Sequence, residues 1–138
     1  MESLTLLTEF MKPKKECTVL YIEDNPANLR LVTELLGRLP YIKILSAQEP
    51  KFGLYLTREH HPDLVLLDIN LPELDGFEVL RILKDDEDTC DIPVIAVSAN
   101  AMAGDIKKGL EAGFINYITK PIDVTQMLLA VDDVLTQK

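Results

Sequence analysis

The chain has 138 residues, with 14 lysines and arginines against 23 aspartates and glutamates, for a formal net charge of −9 at neutral pH. A chain of that length buries roughly two-thirds of the surface it exposes when unfolded, so one domain can hold its core without a disulfide or metal staple. Its 47% hydrophobic and 27% charged residues exclude disordered, collagen-like and membrane-embedded classes, and the acidic balance argues against nucleic acid or anionic lipid as a direct partner.

The first 16 residues stand apart. Leu4, Leu7, Phe10 and Met11 recur at helical spacing until Lys12-Pro13-Lys14-Lys15 interrupts them, which predicts a short helix or tail and a linker ahead of a domain spanning 17–138. Glu2 stands where a secretory signal would carry a basic cluster, and no apolar stretch reaches the about 18 residues of a membrane span. The protein therefore reads as cytoplasmic. Cys17 and Cys90 have no metal-like spacing and read as reduced thiols.

From Cys17 onward, short apolar runs alternate with amphipathic stretches. Thr18–Ile22, Ile42–Leu45, Leu64–Leu67, Val94–Val97 and Phe114–Ile118 are the five predicted strands. The third and fourth are continuously apolar, as in strands buried on both faces of a parallel sheet, whereas the second alternates as an edge does. Pro26 opens the first predicted helix, whose apolar face is Leu31, Val32, Leu35, Leu36 and Leu39. Pro50 opens the second, Gly76 precedes the third, and Gly113 stands where a left-handed cap would end the fourth. Asp123 and Gln126 form a capping box for the fifth, with Val124, Met127, Leu128, Val131 and Leu135 as its buried stripe. Strands alternating with helices predict an α/β fold with right-handed crossovers and an open, doubly wound parallel sheet.

In such a sheet, ligands bind beyond the carboxyl ends of the strands. Strand one runs into Glu23-Asp24, strand three into Asp68-Ile69-Asn70, strand four into Ser98 and strand five into Lys120-Pro121. Glu23, Asp24 and Asp68, brought together, would repel unless a cation sat among them, and Mg²⁺ suits few carboxylates, retained waters, a backbone carbonyl and a phosphoryl oxygen. Lys120 can neutralise oxygen charge from the other side, and Ser98 supplies a hydroxyl. Singly, each residue has a plain reading: a helix cap at Glu23-Asp24-Asn25-Pro26, a turn at Asp68, a helix-entry cap at Ser98, a solvated charge at Lys120. Together they form a carboxylate nucleophile, a metal, an ammonium and a hydroxyl at one sheet edge, a set suited to accepting a phosphoryl group.

The motifs VLYIEDNPANLRLV, DLVLLDINLPELDGFEVL, IPVIAVSANAM and GFINYITKPID resemble the receiver domain of two-component response regulators, and the match covers about residues 17–136. The resemblance implies a flavodoxin-like (βα)5 fold with strand order 2-1-3-4-5. It implies that Asp68 is the phosphoacceptor, that Glu23 and Asp24 hold Mg²⁺ with Asp68 and the backbone carbonyl of Asn70, and that Lys120 precedes a cis bond to Pro121. It casts Ser98 as the switch hydroxyl and Tyr117 as the aromatic switch, altering the surface of the fourth helix, fifth strand and fifth helix. Implied partners are a sensor histidine kinase or histidine phosphotransfer protein, and a downstream protein or second copy on the switched surface. Gly76 is expected to serve backbone geometry. His60-His61 resembles a phosphorelay histidine only superficially, and the acids from Asp85 to Asp88, with Asp91, read as a solvated loop.

A Mg²⁺-dependent phosphohydrolase of the haloacid dehalogenase type also uses an aspartate nucleophile after a parallel strand, but it places a second Asp two residues on, where this chain has Asn70. A flavin module would need a phosphate-cradling first loop, which Glu23-Asp24 would repel. Within the receiver reading, the chain is either a complete single-domain regulator or a receiver cut from a hybrid histidine kinase, and the second fits the VLYIEDNPANLRLV style and the N-terminal tail slightly better. Within these 138 residues the receiver is expected to leave no length for an output domain.

Overall fold

The computed structural model describes residues 15–137, so the predicted N-terminal helix or tail lies outside the described residues. Five β-α units follow one another: β1 (Cys17–Ile22), α1 (Pro26–Gly37), β2 (Ile42–Ala47), α2 (Pro50–His60), β3 (Leu64–Asp68), α3 (Gly76–Asp85), β4 (Val94–Ser98), α4 (Ala103–Ala112), β5 (Asn116–Thr119) and α5 (Val124–Leu135). The strands form one parallel sheet in the order β2-β1-β3-β4-β5.

Alternation along each strand divides the core in two, because successive side chains leave opposite faces. Val19 and Tyr21 of β1, Leu64 and Leu66 of β3, and Ile95 and Val97 of β4 pack with α1 and α5. Leu20, Ile22, Val65, Leu67 and Ala96 pack on the other face with Leu54 of α2 and Val79, Leu80 and Leu83 of α3. β3 and β4 are buried along their whole length, as their continuous apolar runs predict, and β2 is a half-exposed edge. No helix of the described residues is long and apolar enough to cross a membrane.

Three local expectations differ from the structure. Leu31 is 41% exposed, and the buried face of α1 runs through Leu29, Val32, Leu35 and Leu36; Leu39 is buried but lies beyond the helix end. Val124 is likewise 41% exposed, because the first residue of α5 precedes the turn that reaches the sheet. Phe114 and Ile115 precede β5 rather than begin it. The Phe114 N–H bonds Gly109 O at 3.2 Å and the Gly113 N–H bonds Leu110 O at 3.2 Å, the paired closure of a helix whose next residue, Gly113, has φ +120°. Phe114 is spent on ending α4.

The chain order turns at β1, with β2 on one side and β3 on the other. The loops leaving β1 and β3 therefore diverge to opposite faces and open a crevice at their carboxyl ends.

Candidate functional site

β1 delivers Glu23 directly into that crevice. The residue is fully buried, and its N–H still bonds Ala47 O of β2 at 2.9 Å. Capping of α1 falls to Asn25, whose side chain accepts the Asn28 N–H at 3.0 Å, so Glu23 and Asp24 are free of that task. Asp68 ends β3 and is 2% exposed, while α3 is capped by Asp75. The carboxylate oxygens of Glu23, Asp24 and Asp68 come within 4.8 Å of one another, Asp24 from the exposed side.

β5 leads to Lys120, whose Nζ lies 2.9 Å from Glu23 Oε1 and 3.4 Å from Asp68 Oδ2. The Lys120–Pro121 bond is cis. Asp68 Oδ1 also accepts the Asn70 N–H at 3.0 Å. Asn70 is exposed between buried Ile69 and Leu71, and its loop is pinned by the Gly76 N–H bonding Ile69 O at 2.8 Å. A Cβ on Gly76 would lie 2.6 Å from Ile69 Cα and 2.9 Å from Asp68 O. The bare backbone is what lets α3 begin so close to the crevice.

The charges inside the crevice are unequal. Burial, then the neighbouring Glu23 carboxylate, pushes the Asp68 carboxyl up to about 7, against the opposing pull of the Asn70 N–H and the Lys120 ammonium. Burial also raises Glu23, but hydrogen bonds from Asp68, Tyr21 and Lys120 outweigh it and hold Glu23 below the usual carboxylate range. Burial disfavours the Lys120 ammonium, yet the two carboxyls hold its pKa above its ordinary value. Below about pH 7 the pair therefore holds one proton, on Asp68, and one negative charge, on Glu23.

Ser98 ends β4, fully buried, and its carbonyl accepts the Lys120 N–H at 2.9 Å. Its Oγ accepts the Asn100 N–H at 3.0 Å; the cap position of α4 belongs to Met102. Tyr117 in β5 is buried and donates its hydroxyl to Asn100 O at 2.8 Å. Ser98 and Tyr117 thus meet at the main chain of Asn100. Sequence reasoning names both side chains but not Asn100, because a backbone contact leaves no residue-type signal.

Tyr21 was also missed. Its buried hydroxyl donates to Glu23 Oε1 at 2.7 Å, and burial followed by that bond raises its pKa and keeps the phenol protonated. The available signal was parity, since two residues along a strand share a face. The His60 and His61 side chains are exposed at the end of α2, away from the crevice. A separate hollow beside Asp91, Pro93, Ile115 and Asp133 opens near the starts of β4 and β5 and shares no residue with the acid cluster.

The family model described as response regulator receiver domain matches residues 19–132. The polar-differentiation response regulator DivK of Brucella ovis is 44% identical over 120 residues, covering 86% of this chain and 95% of that protein. Among solved structures, the signal receiver domain of a DNA binding response regulator (merR) from Colwellia psychrerythraea superposes with TM-score 0.82 at 26% identity, covering 88% of this chain and all of that one. The receiver domain of sensor histidine kinase PA1611 from Pseudomonas aeruginosa, with a magnesium ion coordinated in its active site cleft, gives TM-score 0.79 at 26% identity, covering 88% of this chain and 98% of that one. The phosphohydrolase reading receives no support from these relatives. By fold, motif and relationship, the chain belongs to the response regulator receiver domain family and is a receiver domain of two-component signalling.

Proposed function

We propose that Asp68 accepts a phosphoryl group from a phosphohistidine on a sensor histidine kinase or histidine phosphotransfer protein, and that the receiver unit spans residues 17–138 behind a short extension. The observation that carries this reading is the crevice itself: three carboxylates within 4.8 Å of one another, with one ammonium between the two buried ones. Asp68 Oδ attacks phosphorus in line, the bond from phosphorus to the donor imidazole breaks, and an acyl phosphate forms with regeneration of histidine. The domain catalyses only its own phosphorylation and dephosphorylation. Its donor is an ATP-dependent kinase or a carrier supplied by one, which sets its place in the cytoplasm.

The donor set fits Mg²⁺. Its ligands are all hard oxygens, and in the ion's absence burial and the Glu23 carboxylate favour a proton on Asp68 up to about pH 7, which a divalent cation can replace. Glu23, Asp24, Asp68 and the Asn70 carbonyl would hold the ion. When bound, Mg²⁺ supplies positive charge to the transferring oxygens and keeps Asp68 ionised. Lys120 stands where its ammonium can pair with a phosphoryl oxygen, and the buried Ser98 hydroxyl can donate to another.

Phosphorylation would reorganise the Ser98–Asn100–Tyr117 connection and the α4-β5-α5 surface, to which a downstream protein or a second copy docks. The test is intact mass after incubation with acetyl phosphate. A phosphoryl adduct that needs Mg²⁺ and vanishes in Asp68→Asn is expected; an adduct that persists in Asp68→Asn would overturn the assignment.

A further inference from the structure

α4 lies against β5, where half-buried Ile106 packs on the core and the Lys108 ammonium sits 5.0 Å from the centre of the Phe77 ring. Of its ten residues only Gly109 is buried, while Leu110 and the preceding cap residue Met102 face solvent. An ideal Cβ on Gly109 would lie 2.8 Å from Cδ2 and 2.9 Å from Cε2 of the Tyr117 ring, well inside the separation of about 3.5 Å at which carbon atoms pack. Helix and ring occupy that space together because residue 109 has no side chain. Gly104, in the same helix, has no neighbour within 4 Å of such an atom. The crowding at Gly109 is therefore local to the ring.

The inward ring is also the one whose hydroxyl holds Asn100 O at 2.8 Å, beside the bond from Asn100 N–H to Ser98 Oγ. We propose that Gly109 is a positioning residue: its empty side-chain position is the slot that admits the Tyr117 ring and lets it hold the loop after β4. A methyl group there turns the ring outward onto the α4-β5-α5 surface and parts its hydroxyl from Asn100. The consequence for signalling rests on the phosphoacceptor reading above. The ring's position does not, since it can be measured with no phosphoryl donor.

Full-length chain carrying 3-fluorotyrosine has four ¹⁹F resonances, one for each tyrosine, and Tyr117→Phe assigns the relevant one. In Gly109→Ala that resonance should move and gain a solvent-isotope shift while the other three stay. Urea unfolding supplies a second readout. Alanine is the better helix former, by about fivefold in equilibrium constant, so Gly109→Ala should stabilise the chain in a Tyr117→Ala background and destabilise it when the ring is present. Gly104→Ala should stabilise both. If Gly109→Ala alone does not fold, recovery of folding in Gly109→Ala/Tyr117→Ala supports the slot, and failure of the double variant overturns it. An unmoved Tyr117 resonance, or the same stability change with and without the ring, also overturns it. Absence of any adduct in the wild-type chain with acetyl phosphate and Mg²⁺ would overturn the phosphoacceptor reading and leave the slot standing.

Discussion

The Tyr21 hydroxyl donates a 2.7 Å hydrogen bond to Glu23 Oε1, both groups buried. That bond anchors the most buried charge of the crevice from below, on the same strand face, while Lys120 reaches the same oxygen from β5 at 2.9 Å. A hydrogen bond to a buried carboxylate contributes more than a neutral one. Tyr21→Phe keeps the ring in the core and removes only the donor. It is expected to lower stability by about 1–2 kcal/mol, read as a lower urea midpoint at pH 8 with an unchanged slope; an unmoved midpoint would contradict this role.

Protons and Mg²⁺ compete for Asp68. Burial and the Glu23 carboxylate push its carboxyl up to about 7 in the folded chain from an ordinary value of 3.8, so between about pH 4 and 7 the folded state holds a proton that the unfolded state has lost. By linkage, this group makes the metal-free protein less stable as pH rises across that window, and adds no further change above it. Mg²⁺ requires the ionised form. Added Mg²⁺ should therefore raise Tm clearly at pH 8 and little at pH 5.5, with apparent affinity falling toward tenfold per pH unit below 7. Thermal unfolding with and without the ion checks this, and equal Mg²⁺ effects at both pH values would refute it.

Lys120 is the ammonium paired with the two buried carboxyls. Replacing it by methionine leaves that pair without a cation, a loss expected to cost about 3 kcal/mol at pH 8. At pH 5.5, where Asp68 keeps its proton, less charge is orphaned, so the cost should be smaller. Denaturant titration of Lys120→Met at the two pH values measures the difference. The same variant should accept phosphate from acetyl phosphate at least tenfold more slowly.

Gly76 and Gly104 make a matched pair. A Cβ at Gly76 would press on backbone atoms of Ile69 and Asp68, which cannot swing aside as a side chain can. Gly76→Ala is expected to lose about 1–3 kcal/mol and to weaken Mg²⁺ binding by displacing the Asp68–Asn70 loop. Gly104→Ala, with open space around it, should gain about 0.5–1 kcal/mol through helix propensity. Calorimetry for stability and isothermal titration for Mg²⁺ test both.

The sheet was legible in the sequence because burial on both faces leaves continuous apolar runs in β3 and β4, while the edge strand β2 alternates. The crevice was legible because its acids, hydroxyl and lysine stand at strand ends, which topology alone gathers. Contacts made through the main chain or through missing atoms were not. Asn100 joins Ser98 to Tyr117 by its peptide groups, and Gly109 contributes only space. Gly53 likewise contributes only space: a Cβ there would collide with the Ile22 side chain, so α2 is close-packed on β1 at that point. Leu31 and Val124 fit a helical stripe by spacing but sit at its solvent margin, a distinction periodicity cannot draw.

The phosphoryl group is expected to form an acyl phosphate on Asp68. Sodium borohydride reduces an acyl phosphate to an alcohol, converting the modified aspartate to homoserine, which peptide mass mapping locates. After acetyl phosphate and Mg²⁺, homoserine is expected at position 68 and nowhere else, and is expected to be absent when Mg²⁺ is withheld. Homoserine at another aspartate, or a phosphorylated chain that borohydride leaves unchanged, would contradict it.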